Sequence, residues 1–293
     1  MISTALRCCF SIVGVACFGA CLSACAPLKI LNAFVPESGF DVSRDVVFSV
    51  HPRNKLDVYR PHPATPALKP VVVFFYGGAW EAGEKGEYMF AAEALVSRGY
   101  VVVIPDYRLY PEVVFPAYME DAALALKWTF AHIATHGGDP DKVFVMGHSA
   151  GAQLAALLNF DAGYLERIGS SHRRIRGLVS LAGPLDFLPL TEPQLEFIFP
   201  LPVRAASQPI NFVRASAAPA LLLHGAADTR VKIHNSLNLA RRVQTAGGVA
   251  EIDIYPEMGH AGILLALAKP LRGDKPILAR VAKFIDNHSS GSP

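Results

Sequence analysis

An α/β architecture, with a mostly parallel sheet of about eight strands and helices on both faces, follows from three observations in the sequence. Continuous apolar runs of strand length recur along the chain, and segments with helical spacing fall between them. The composition agrees: 52% of the 293 residues are hydrophobic and 18% charged, enough apolar mass for one large core. A formal net charge of +2 with interspersed signs supplies no basic stripe or acidic tail. Nucleic acid is therefore not expected as a partner, and a small molecule is.

The elements follow in order. Arg7 is the first charged residue, and an uncharged run leads from Cys8 to Leu22-Ser23-Ala24-Cys25. That pattern predicts a signal peptide over residues 1–24. Its ending resembles a bacterial lipobox, which implies lipidation at Cys25, a lipidated tether over 25–40 and an exported protein held on a bacterial membrane, on its periplasmic or cell-surface side. A plain secretory signal and an uncleaved anchor are the competing readings, the latter because the apolar run approaches bilayer-spanning length. The five cysteines, Cys8, Cys9, Cys17, Cys21 and Cys25, all fall in this segment, so no disulfide is expected in the folded domain.

The catalytic domain is expected over 41–287. Asp45 to Val50 and Lys55 to Tyr59 read as an opening antiparallel pair, followed by turns at Pro61, Pro63 and Pro66. Strands are expected at Val71 to Phe75, Val101 to Ile104, Val143 to Met146, Leu178 to Leu181, Ala220 to Leu223 and Ile252 to Tyr255. Helical spacing marks Phe90 to Ser97, Asp121 to Thr135, Ala150 to Leu158, Ser236 to Thr245 and Ile277 to Asn287. A proline-broken, apolar stretch over 184–209 reads as a cap insertion, and 288–293 as a flexible tail. Oligomeric state is not legible.

Chemistry concentrates after the strand ends. Gly147-His148-Ser149-Ala150-Gly151 stands between a strand and an Ala/Leu-rich helix, the setting of a nucleophile elbow. The sharp turn lifts the serine oxygen from the backbone, and the flanking glycines leave room for close chain approach. A serine hydroxyl is hardly ionised at neutral pH, so it needs a base, and the base needs a carboxylate to orient it. In the order Ser, Asp, His, those roles fall to Asp228 and His260, each in a loop beyond a strand's C-terminal end. Parallel strands bring such loops to one edge. Asp186 is the weaker alternative as acid. His148 and His224 read as packed or hydrogen-bonded rather than basic, and His132 with His136 as a helix-end pair rather than a zinc site, so no metal is expected.

An oxyanion forming in acyl transfer needs donors in place beforehand. Tyr76-Gly77-Gly78-Ala79-Trp80, after its strand, can supply the N–H groups of Gly77 and Gly78, with Ala150 N–H as the third; an ordinary Gly-Gly turn is the bland alternative. Trp80, Phe187 and Phe197 are the expected apolar wall for substrate, although the cap segment's plainer role is to complete the core.

With these pieces in hand, the chain resembles the α/β-hydrolase esterases around hormone-sensitive lipase, bacterial acetyl esterases, kynurenine formamidase and prenylcysteine methylesterase. Leu56-Asp57-Val58-Tyr59, Asp106-Tyr107-Arg108-Leu109, Pro111-Glu112, Phe115-Pro116-Ala117, Glu120-Asp121 and Gly137-Gly138-Asp139-Pro140 match besides the triad, across about Lys55 to Asn287. The resemblance implies the α/β-hydrolase fold and a cofactor-free, metal-free carboxylesterase of small esters, with Ser149, Asp228 and His260 as triad. Such families usually begin the oxyanion motif with histidine, where this chain has Tyr76. A formamidase using the same machinery and an inactive scaffold kept for binding are the alternative readings.

Overall fold

The computed structural model describes residues 25–36, 38–273 and 275–289. Eight strands form one sheet: β1 (Phe40–Val47), β2 (Lys55–Pro61), β3 (Lys69–Phe75), β4 (Val101–Pro105), β5 (Gly138–His148), β6 (Ile175–Leu181), β7 (Ala220–Gly225) and β8 (Ala250–Tyr255). Their spatial order is β1-β2-β4-β3-β5-β6-β7-β8. β1 and β2 pair antiparallel, as does β2 with β4, and every later pairing is parallel. The expected α/β class and strand count are observed.

The apolar runs are strands because both sheet faces are covered: Val71 to Phe75 and Val143 to Met146 are wholly buried. The helices are α1 (Cys25–Asn32), α2 (Met89–Val96), α3 (Ala117–His132), α4 (Ala150–Phe160), α5 (Gly163–Glu166), α6 (Pro193–Ile198), α7 (His234–Thr245), α8 (His260–Leu265), α9 (Lys269–Arg272) and α10 (Ile277–Ser289). Phe74, Phe75, Phe144, Phe160 and Phe284 interlock sheet and helices at zero exposure, each worth about 1.5–3 kcal/mol of transfer free energy.

The chain crosses from β3 to β4 on one side and comes back to β5 on the other, so the loops after β3 and β5 flank a switch point, the usual place for a ligand crevice. Phe75 pairs with Gly147 there, which sets the two loops side by side.

Three expectations at the edges of the domain change. The expected signal peptide, residues 1–24, lies outside the described residues. The tether over 25–40 is instead a helix followed by the start of a strand: α1 packs Leu28 and Leu31 on the core, joined by Val35. Asn32 fixes it by donating to Gly86 O (2.8 Å) and accepting from Phe90 N–H (3.1 Å). Its apolar spacing covers too few residues to stand out until a partner surface exists. Likewise α10 carries His288 and Ser289, expected in the flexible tail, because the His288 ring packs edge-on against Phe284; 290–293 lie outside the described residues. The first strand also sits earlier than Asp45 to Val50. Its ladder to β2 starts at Phe40 and shifts register between Ser43 and Val46, while Val50 is fully exposed. Among the described residues no helix is long and apolar enough to cross a membrane.

Candidate active site

β5 delivers the elbow. Ser149 has φ 53 and ψ −124, a strained left-handed conformation held between strand and α4. The turn closes only without side chains on either flank: a Cβ at Gly147 would sit 2.2 Å from Gly151 O, and one at Gly151 2.1 Å from Phe75 O. Ser149 N–H donates to Leu181 O (3.0 Å), tying the turn to β6.

His260 Nε2 lies 2.8 Å from Ser149 Oγ, and His260 Nδ1 lies 2.8 Å from Asp228 Oδ2. The loops carrying acid and base are built against each other. Ala227 N–H donates to Met258 O (3.1 Å), and a Cβ at Gly225 would meet that same oxygen at 2.0 Å. The other carboxylate oxygen of Asp228 accepts from the N–H groups of Arg230 and Val231, both at 2.9 Å. These bonds hold it aimed at the imidazole. Sequence reasoning placed these three residues at one sheet edge, and the structure brings them within hydrogen-bond reach of one another.

The other histidines take supporting places. His148 is buried with its ring 4.9 Å from that of His260, and its Nε2–H donates to His260 O (3.0 Å). Burial, reinforced by the neighbouring His260, pushes its pKa down to about 3, so the ring stays neutral at working pH. His224, also lowered by burial, bridges Ser236 Oγ (2.7 Å) and Val231 O (2.9 Å) beside Asp228. His132 and His136 both pack against Trp128. Asp186 accepts from Asn238 (2.7 Å) and thereby ties the cap segment to α7.

Three consecutive carbonyls set the loop after β3. Tyr107 OH donates to Tyr76 O (2.7 Å), Tyr88 OH to Gly77 O (3.2 Å), and the N–H groups of Glu81 and Ala82 to Gly78 O, both at 3.0 Å. Across a trans peptide the N–H points opposite its C=O, so the N–H groups of Gly77, Gly78 and Ala79 turn away from those donors. Gly77 passes so near Ser149 that an added Cβ would be 3.0 Å from the serine Cβ. Ala150 N–H belongs to the first turn of α4, where no intrahelical acceptor exists. Ala79 and Trp80 carry φ of 53 and 62, a strained pair that composition does not reveal.

Tyr76 lies beneath this loop. Its ring is stacked between Tyr88 and Tyr107, and its hydroxyl donates to Asp106 (2.8 Å) and accepts from Arg53 (3.0 Å). Arg53 also donates to the backbone oxygens of Tyr107 and Gly83. Burial holds the phenol well above its ordinary pKa and raises the Asp106 carboxyl. The tyrosine braces the loop from inside the core.

A cleft of about 230 Å³ opens beside Ser149, walled by Trp80, Phe187, Leu188 and Leu195. Trp80 donates from its indole to Gln153 (2.9 Å), whose amide reaches Ser207 O (2.8 Å) in the cap. Trp80 and Phe187 are where the sequence reading put them, but Phe197 is not: it is 62% exposed and away from the cleft. The cause is helical phase. In α6 the inward face carries Leu195 and Ile198, three apart, which turns Phe197 to solvent. Phe199, just beyond, is buried edge-on against Trp80 at 4.7 Å. Pro193 at the helix start was the available signal for that phase.

Such a relay at the C-terminal edge of a mostly parallel sheet, after a strand-to-helix elbow, defines an α/β-hydrolase of the serine type. The chain belongs to the BD-FAE family, whose model matches residues 56–243. A probable isoprenylcysteine α-carbonyl methylesterase of Arabidopsis thaliana is 31% identical over 256 residues, covering 80% of this chain and 60% of the relative. A probable carboxylic ester hydrolase of Mycobacterium tuberculosis is 28% identical over 230 residues, covering 72% and 53%. The chain thus spans about 60% or less of these curated relatives' length. Among solved structures, Lactobacillus rhamnosis esterase B superposes with a TM-score of 0.77 at 20% identity over 92% of both chains. A Pyrobaculum calidifontis esterase gives 0.75 at 24% identity, over 91% of this chain and 92% of that one. These two likenesses are of fold.

Proposed function

We propose that this chain is a serine carboxylesterase that hydrolyses small or short-chain carboxylic esters through an acyl-enzyme on Ser149. The observation that carries the reading is the unbroken line from Ser149 Oγ through His260 to Asp228, 2.8 Å at each step, beside a cleft with an apolar wall of Trp80, Phe187, Leu188 and Leu195.

In this mechanism His260 Nε2 takes the serine proton as Oγ bonds to the ester carbonyl carbon. The carbonyl π pair moves onto oxygen, where the N–H groups of Gly77, Gly78 and Ala150 receive it, with Ala79 N–H adjacent. Collapse breaks the bond to the alcohol, which leaves with the proton from His260. Water then gives its proton to His260 and attacks the acyl carbon, and the reverse transfer frees Ser149. Asp228 keeps the imidazole in the productive tautomer and stabilises the imidazolium. The esterases among the relatives support an ester substrate. Wild-type protein should turn over p-nitrophenyl acetate and butyrate, and Ser149→Ala should not. Equal rates for the two would remove the proposal.

Export and anchorage through Cys25 belong to the same reading, supported by the apolar run from Cys8 and the Leu22-Ser23-Ala24-Cys25 ending. Because α1 begins at Cys25 and is docked, a lipid there would hold the domain close to the bilayer. Cys25→Ser should move the protein out of the membrane fraction and end incorporation of labelled palmitate; unchanged membrane recovery would exclude the anchor.

A further inference from the structure

The cleft beside Ser149 is mostly apolar on the cap side, where Glu192 is the charged exception, and carries two cations on the other. Arg230, Val231 and Lys232 line it directly after the acid Asp228. Neither the Arg230 guanidinium nor the Lys232 ammonium makes an ion pair or side-chain hydrogen bond among the described residues, and both side chains are exposed at the rim. Glu192 also lines the cleft and pairs with neither. Several other cations of the domain are instead paired: Lys85 reaches Asp57 (2.9 Å), Arg108 reaches Asp121 (2.8 Å), Arg272 reaches Glu93 (2.6 Å) and Arg280 reaches Asp253 (2.7 Å).

Their backbone, unlike their side-chain ends, is rigidly placed. The N–H groups of Arg230 and Val231 are both spent on Asp228 Oδ1, at 2.9 Å, and Lys232 O accepts from Asn235 (2.9 Å). The two positive charges therefore start from a base fixed to the triad. The opposite wall of Trp80, Phe187 and Leu188 is apolar, and Glu192 is the one carboxylate side chain in the lining. With two cations against the single carboxylate of Glu192 in its lining, the cleft carries an excess of positive charge, and low-dielectric walls focus such a field and raise the local concentration of the opposite sign.

We infer that the cleft selects esters carrying a second, anionic group, a carboxylate or phosphate, which Arg230 and Lys232 receive at the rim while the ester carbonyl lies over Ser149. The inference rests on the esterase reading and deepens it by naming the substrate class. Apolar contact along the cap would hold the carbon chain between the two ends, and a neutral ester of equal length would lose only the charged contact.

The test compares matched pairs on the full chain, with spontaneous hydrolysis subtracted. One pair puts the charge in the acyl part, mono-p-nitrophenyl adipate against p-nitrophenyl hexanoate. The other puts it in the alcohol part, the butyrate of p-hydroxyphenylacetate against p-tolyl butyrate. In at least one pair kcat/KM should favour the acidic ester by about five- to tenfold at low ionic strength. The preference should shrink as the Debye length falls from about 10 Å at 0.1 M to about 3 Å at 1 M salt. In the double variant Arg230→Gln, Lys232→Gln the ratio should drop to about one, mostly through KM. Turnover of neutral esters with no acidic preference in either pair overturns this inference and leaves the esterase reading standing. A preference that survives the double variant also overturns it, since other groups then carry the selection. Failure to hydrolyse any of the four esters, with Ser149 unlabelled by a fluorophosphonate, overturns the esterase reading itself.

Discussion

The edge of the sheet and the cap above it are built by opposite means. At the edge, the carbonyls near Ser149 are fixed by neighbouring elements: those of Tyr76 and Gly77 accept from buried tyrosine hydroxyls, that of Gly78 accepts from the N–H groups of Glu81 and Ala82, and the elbow closes on Phe75 O and Leu181 O. The cap between β6 and β7 has only α6 and three short 3₁₀ turns, Leu201–Val203, Ala205–Ser207 and Pro209–Phe212. Side-chain amides hold it: Asn235 accepts from the N–H groups of Leu185 (2.9 Å) and Asp186 (2.8 Å), and Gln208 accepts from Phe187 N–H (2.8 Å). The serine relay thus rests on regular structure, and the apolar wall of the cleft on a segment whose shape depends on a few amides.

If that division is right, the largest effect comes from the edge. Ser149→Ala should lower kcat on p-nitrophenyl butyrate by about 10⁴-fold or more while far-UV circular dichroism stays unchanged. His260→Ala should do the same, and the double variant no worse, because the two act as a unit. Additive losses would separate them.

Gly78→Ala comes next. At φ +133 an alanine is strained, and its Cβ would lie 2.0 Å from Ala82 O, so the loop must shift. Donors displaced from a developing oxyanion cost about 10²- to 10³-fold in kcat with little change in KM. A loss confined to KM would mean the loop serves binding rather than the transition state.

A smaller effect should appear in stability against pH. His148 has its folded pKa lowered from 6.5 to about 3 by burial and by His260. The unfolded chain binds a proton as pH falls through 6.5 and the folded one does not. Its stabilising contribution is therefore intact above 6.5 and is lost as pH falls toward 3, by about 1.4 kcal/mol per pH unit. His148→Gln can keep a donor for His260 O and remove this titration. Urea midpoints at pH 7 and pH 5 should then lie closer together in the variant than in wild type; equal spacing would show that His148 is protonated in the folded state.

The same division explains what the sequence disclosed. Gly147 and Gly151 around Ser149, and Asp228 and His260 past strand ends, were legible because apolar runs mark buried parallel strands and strand direction does the rest. The docking of α1 was not, since Leu28 and Leu31 show a face only once the folded core offers one. Nor was the Ala79–Trp80 strain, nor the donation from His148 to His260 O, because each depends on chain brought near by the fold.

The smallest expected effect tests the cap side directly. Phe197 and Phe199 look equivalent in the apolar stretch, yet one is 62% exposed and the other completely buried against Trp80 and Phe187. Phe197→Ser removes an exposed ring that has no place in the cleft, so stability should stay within about 0.5 kcal/mol of wild type. Acyl-chain preference across p-nitrophenyl acetate to octanoate should also be unchanged. A marked shift toward shorter acyl groups would mean that α6 turns in solution and brings Phe197 over Ser149, making the cap a moving part rather than a fixed wall.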